Sequence, residues 1–283
     1  MVKGTKFAAE RQASEYLACD RGFAEQIEDI RRYGNHGVSP VLRAAVLAAH
    51  GIPKPKDSAE NGIVFGCYRP FTTPFLLRDY IRLLDILGMD YTYFEKEFCC
   101  GLPLIMQRAG EDPENTMTSG VEFHRLNLGL AHQKGVNTLA YCCVGCAYMA
   151  KSSDTEASVR QTYIVDLILD ELAKKQLKVA PAVIGYFEGC HTFYKTHFPQ
   201  VSLGWKRYRR FLDGIEDLEI VDLSNKLCCK RSADRIVESA EKLDLDKILC
   251  SCNGCYLSLK AAEKRKLTTM NMPEFLLQVL ENL

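Results

Sequence analysis

From residue 61 the chain alternates between short apolar runs and longer stretches with apolar positions at helical spacing. Ile63-Val-Phe65 reads as a buried strand ending at Gly66-Cys67. A helix follows over about 74–87, with Leu76, Leu77, Tyr80, Ile81, Leu84 and Leu87 on one face and Gly88 as its stop. Tyr91-Thr-Tyr-Phe94 predicts a second strand, about 121–133 a helix, and Val136-Asn-Thr-Leu-Ala140 a third strand. A bridging helix is expected over 159–175. The rhythm then repeats: a strand over 182–187, a helix over 204–212, a strand over 218–221, a helix over 233–243, a strand over 247–249 and a helix from Pro273. Strands alternating with helices predict an α/β fold with largely parallel sheets. Residues 1–60 read differently. Phe7 to Arg32 is a charged helical stretch, Tyr33-Gly-Asn-His-Gly37 breaks it, and Ser39-Pro40 opens a short helix stopping at Gly51. This part is expected to be an extension packing on the main body or on a partner, without a recognisable site.

The cysteines follow the same repeat. Cys67, the pair Cys99-Cys100 and Cys143-x-x-Cys146 make one constellation; Cys190, the pair Cys228-Cys229 and Cys252-x-x-Cys255 make another. Every member falls after a predicted strand end, where parallel α/β sheets gather ligands. A tetrahedral zinc or a cubane cluster needs four thiolates, so five per half point to a larger, less regular metal centre. Adjacent cysteines chelate one ion poorly but can bind different irons of one cluster.

The chain has 283 residues, enough for two domains with real cores, and 36 acidic against 36 basic side chains give zero net charge. A nucleic-acid footprint is therefore not expected. No secretion signal or membrane span is visible in the sequence, which predicts a cytoplasmic protein with no transmembrane segment. In that setting thirteen cysteines favour metal or redox chemistry over disulfides.

The pattern C-x(31)-CC-x(42)-C-x-x-C, with Gly101 completing Cys99-Cys100-Gly101, resembles the CCG cysteine-rich domain. Tyr186-Phe-Glu-Gly-Cys190-His191 and Cys252-Asn-Gly-Cys255-Tyr256 are similar to segments of the cluster-bearing catalytic subunit family of heterodisulfide reductase. The resemblance spans about 61–265. It implies two Rossmann-like CCG domains related by a pseudo-two-fold axis, over 61–155 and 156–283, behind the helical extension 1–60. It also implies a non-cubane [4Fe–4S] cluster on five cysteines in each domain. The implied reaction is cleavage of a disulfide substrate by one electron to each sulfur. A flavin-containing subunit and a ferredoxin-like iron–sulfur subunit would be the partners. The second half departs from the pattern: Lys230-Arg231 replace the glycine, and 22 residues rather than 42 separate the pair from C-x-x-C. A complete cluster is therefore less firmly expected there, zinc is an alternative, and Cys250 is a candidate substitute ligand.

Around the thiols, Gly66, Gly145, Gly189 and Gly254 each precede a cysteine and are candidates to admit a cluster close to the backbone. His191 is a candidate proton donor to a departing thiolate. Lys230, with Arg231 and Arg69, is a candidate for steering an anionic thiol. Cys142 reads as a spare. No GxGxxG follows a strand, so no flavin or nicotinamide site is expected in this chain. Three other functions fit the sequence: the oxidative direction of sulfur metabolism, a CCG electron-transfer subunit of a lactate, glycolate or succinate oxidoreductase, and a zinc-bound scaffold.

Overall fold

The computed structural model describes residues 22–104, 113–153, 158–189, 198–224, 226–263 and 267–281. The chain forms two compact units, Met1–Ile164 and Val165–Leu283. The first contains α1 (Phe23–Tyr33), α2 (Pro40–Ala49), β1 (Asn61–Val64), α3 (Arg69–Thr72), α4 (Pro74–Ile86), β2 (Tyr91–Tyr93), α5 (Pro113–Gln133), β3 (Thr138–Tyr141), α6 (Val144–Ser153) and β4 (Arg160–Tyr163). Its sheet has the order β2-β1-β3-β4, all parallel. From α7 (Ile164–Leu172) the second unit continues with β5 (Lys178–Phe187), α8 (Trp205–Asp213), β6 (Glu216–Asp222), α9 (Cys229–Lys242), β7 (Lys247–Cys250), α10 (Asn253–Ala262), β8 (Thr268–Asn271) and α11 (Met272–Glu281). Its sheet is again parallel, in the order β6-β5-β7-β8.

The expected strands and main helices are present, with four differences. Each sheet has a fourth strand, β4 and β8, that the apolar pattern did not announce. The helix expected over 159–175 starts only at Ile164, because Arg160–Tyr163 pairs with β3. Helices α6 and α10 begin immediately after Cys143 and Cys252, so the second cysteine of each C-x-x-C lies in a first helical turn. The pair Cys228-Cys229 opens α9, which carries a break at Ser232. The part of the N-terminal helical prediction before residue 22, with Cys19, lies outside the described residues.

Parallel pairing buries the central strand of the first sheet on both faces, while in the second sheet β5 is buried only over its last four residues and β6 is largely exposed. Asn61–Val64 is buried throughout, and Leu76, Leu77, Tyr80, Leu83 and Leu84 of α4 are at or near zero exposure. The N-terminal segment packs on the first unit itself. Ile27 and Ile30 of α1 share an apolar cluster with Cys67, Cys99, Leu104 and Phe123. Ser39 caps α2 as its sequence predicts, its Oγ accepting the Leu42 amide at 3.2 Å, with Pro40 at the first position.

Candidate metal centre

In the first unit β1 lies between β2 and β3, so the connections leave it in opposite directions and open a crevice at the carboxyl edge. The chain delivers its five thiols there. Cys67 follows β1, Cys99-Cys100 follow β2, and Cys143 and Cys146 follow β3. Cys67 and Cys99 sulfurs are 3.2 Å apart. Cys146 hydrogen-bonds both Cys100 and Cys143. All five belong to one connected group of contacting sulfurs.

That sharing sets the charges. The bond from Cys146, with one from Cys99, holds the Cys100 thiol well below its usual pKa. Cys143 is lowered to about 7, first by Cys146, against burial and with help from Arg69. Cys146 itself is pushed well above by its bonds to those two neighbours and by burial. Burial, with the bonds to Cys100 and Cys67, raises Cys99 well above. Cys142 is fully buried in the strand-end backbone, its thiol pushed up by burial, and stays apart as the sequence suggests.

The cradle is built from backbone. Gly66 has φ 92°, and a Cβ there would lie 3.3 Å from the Cys143 Cβ and 3.6 Å from the Cys146 sulfur. Glu97 accepts the amides of Phe65 at 2.9 Å and Gly66 at 2.7 Å, fixing the turn after β1. The loop carrying the pair is clamped in turn. Asn127 of α5 accepts from and donates to the Phe98 backbone at 2.7 and 2.8 Å. Arg43 of α2 donates to the carbonyls of Phe94 and Glu95 and pairs with Glu97 at 3.0 Å. Gly101, directly after the pair, takes φ 75°, a left-handed conformation that favours glycine. None of Glu97, Asn127 or Arg43 stood out in the sequence, because their partners lie 29 to 54 residues away along the chain.

Arg69 completes the site. It is 1% exposed, and none of its three guanidinium nitrogens has a hydrogen-bond partner among the described residues. The ring of Tyr80 lies 5.8 Å away, and the thiols of Cys142 and Cys143 are within electrostatic reach. A buried cation without a hydrogen bond is costly unless an anion faces it. Five thiols, a glycine cradle and a buried guanidinium whose nitrogens make no hydrogen bond among the described residues fit a bulky anionic iron–sulfur cluster. They fit a tetrahedral zinc less well, since one thiol would be left over.

The second unit brings together three of its predicted ligands in the same way. Cys255 hydrogen-bonds both Cys229 and Cys252, as Cys146 does Cys100 and Cys143, and is likewise raised well above its usual value. Gly189 has φ 109°, and its Cβ would lie 3.6 Å from the Cys255 sulfur. Across the shortened arm Cys229, Cys252 and Cys255 still meet, because the end of β7 sets the C-x-x-C position and the missing residues come out of the loop and helix before it. Cys228 is half-buried at the N-cap of α9. Cys250 is not drawn into the group: its sulfur faces the Met270 carbonyl at 3.6 Å, at the strand-end position that Tyr141 holds in the first sheet. Gly145 and Gly254 are first-turn helical residues, not strand-end turns. Lys230 and Arg231 are exposed on α9. Cys190 and His191 lie outside the described residues. None of the eleven described cysteines is joined in a disulfide.

The second unit also has a cavity of about 800 Å³ at the carboxyl ends of β5 and β6. Lys206, Arg209 and Arg210 of α8 line it with Tyr186, Glu188 and Asp222. Arg209 is tied to Asp222 at 2.8 Å. The i, i+3, i+4 spacing of these three cations was the sequence signal for a basic helix face.

Residues 63–151 match the CCG family of cysteine-rich domains. An uncharacterized iron–sulfur protein of Methanocaldococcus jannaschii is 22% identical over 71% of this chain and 38% of its own length. One subunit of an anaerobic glycerol-3-phosphate dehydrogenase of Escherichia coli is 26% identical over 58% of this chain and 41% of its own. One subunit of a fumarate reductase (CoM/CoB) of Methanothermobacter marburgensis is 25% identical over 76% and 45%. The chain thus spans less than half the length of these relatives. Among solved structures, an aspartate racemase homologue of Pyrococcus horikoshii is similar at 14% identity over 79% of this chain and 98% of its own, with a TM-score of 0.36.

Proposed function

We propose that this chain is the cluster-binding subunit of a heterodisulfide reductase-like complex. In this reading it is a tandem of Rossmann-like CCG domains related by a pseudo-two-fold axis. The observation that carries it is the five-thiol group at one sheet edge with Gly66 beneath it and the buried Arg69, its nitrogens without a hydrogen bond among the described residues, beside it. Cys67, Cys99, Cys100, Cys143 and Cys146 would hold a non-cubane [4Fe–4S] cluster, and Cys190, Cys228, Cys229, Cys252 and Cys255 a second. Such a cluster supplies single electrons to a bound sulfur. A disulfide takes two electrons and two protons to give two thiols; the electrons come from a ferredoxin-like subunit fed by a flavin subunit. His191 would give a proton to a departing thiolate. Lys206, Arg209 and Arg210 would draw an anionic thiol or disulfide into the cavity at the carboxyl ends of β5 and β6.

Similarity to part of a glycerol-3-phosphate dehydrogenase favours a second reading, in which the same clusters only relay electrons from a flavin dehydrogenase. Anaerobic purification with metal analysis and EPR tests both. About eight irons per chain, four for each cluster, support two centres, and zinc alone defeats them. A signal perturbed by added thiol or disulfide supports the reductase. A signal blind to both, with a flavin dehydrogenase as the co-purifying partner, supports the relay.

A further inference from the structure

The segment before β1, which reads as an extension without a site, reaches into the first centre. His36 is 5% exposed, and its Nε2 lies 3.3 Å from the Cys99 sulfur. His36, Cys67 and Cys99 place one nitrogen and two sulfurs all within 4.8 Å of one another. The loop that carries the imidazole is tightly determined. Gly34 ends α1 at φ 80°, donates to the Ile30 carbonyl and accepts the Cys99 amide at 2.7 Å. A Cβ on Gly34 would fall 2.1 Å from the Glu97 carbonyl oxygen, so no side chain fits between this loop and the cysteine loop. Asn35, 3% exposed, bonds both the amide and the carbonyl of Val38 at 2.7 and 2.8 Å. Gly37 turns the chain at φ 100°. The imidazole then rests against Tyr68, ring centroids 5.3 Å apart. Two left-handed glycines, a buried asparagine and a tilted ring contact all serve to hold one nitrogen at one sulfur.

We propose that His36 is a positioning residue of the first centre, its Nε2–H donating to the sulfur of Cys99. The inference rests on the iron–sulfur reading above. A metal-bound thiolate can only accept, so the contact becomes an N–H···S bond once Cys99 is a ligand. Such a bond withdraws charge from the sulfur and stabilises the reduced cluster, raising its potential. The five thiols already supply the ligands, so the nitrogen is not needed on iron.

The test is an EPR-monitored redox titration of the anaerobically loaded full chain, with iron analysis, for the parent, His36→Ala and His36→Gln. The expected result is unchanged iron content, a shift of the first signal to lower potential in His36→Ala, and partial return in His36→Gln, whose amide keeps a donor. Equal potentials in all three proteins overturn the proposal. Loss of iron from the first site in both variants also overturns it, since that makes the nitrogen a ligand. A parent chain that takes up no iron defeats the iron–sulfur reading and this inference together.

Discussion

At the residue scale the first centre is a balance of unfavourable placements. Gly66 sits at φ 92°, where a Cβ would press on the Cys143 Cβ at 3.3 Å and touch the Cys146 sulfur at 3.6 Å. Gly66→Ala adds about 1–2 kcal/mol of left-handed strain and crowds Cys143. Iron should fall by about one cluster per chain, four atoms, while the second signal persists; full iron content would show that the cradle is not needed. Arg69 is the converse case, a cost in the metal-free chain. Arg69→Met removes a buried cation that has no hydrogen bond, and the metal-free chain should gain about 1–4 kcal/mol in urea denaturation. The same change should lower the potential of the first centre in loaded protein. A metal-free variant less stable than the parent would mean the guanidinium has a stabilising partner. Thiol reactivity reads the charge pattern directly. Cys143 is half-exposed, and its pKa near 7 rests first on the bond from Cys146. Alkylation of the metal-free chain should rise through about pH 7 at Cys143, with Cys142 beside it unreactive, as mapped by mass spectrometry. A midpoint above pH 9 at Cys143 would contradict the shared-proton arrangement.

At the element scale the site depends on loops held by side chains from distant helices. The loop between β2 and the cysteine pair has few backbone partners of its own, so Arg43, Asn127 and Gly34 supply them. Glu97 and Arg43, 3% and 4% exposed, tie that loop to both the end of β1 and α2. Glu97→Gln leaves Arg43 buried without its counter-charge and should cost about 3–5 kcal/mol in urea denaturation. Adding Arg43→Met should recover part of that loss, so the double variant is more stable than additivity allows; strict additivity would deny the coupling. None of this was legible in the sequence. Periodicity reports which face of an element is buried, and so the helices and central strands were readable. It does not report which residue 51 positions away accepts a given donor, as Phe94 does for Arg43. The fourth strands were hidden for another reason. Arg160–Tyr163 and Thr268–Asn271 are four residues each, mostly polar, and run into helices without a turn residue between.

At the scale of the whole molecule the two units share one strand order, and in each the second cysteine of C-x-x-C bonds the first and one member of the adjacent pair, although the sequence between the pair and C-x-x-C differs by 20 residues. The cysteine spacing made the repeated order visible, and the end of β7 still brings the C-x-x-C motif to Cys229 across the shorter arm. What does differ is the pair itself. In the first unit Gly101 turns left-handed after Cys100, while in the second Lys230 continues a helix that Cys229 opens. The helix N-terminus directs backbone amides and partial positive charge toward Cys228 and Cys229, with Lys230 and Arg231 adding two cations nearby. These favour a more negative, reduced cluster, so the second centre should titrate at a higher potential than one lacking them. Cys229→Ala removes one of the two sulfurs that Cys255 bonds. It should abolish one EPR signal and leave the other with its g-values and potential intact. Reversing the charge with Lys230→Glu and Arg231→Glu together should lower the potential of that same signal alone. Two signals that titrate together in the parent, or that shift together in either variant, would show that the units do not hold independent centres.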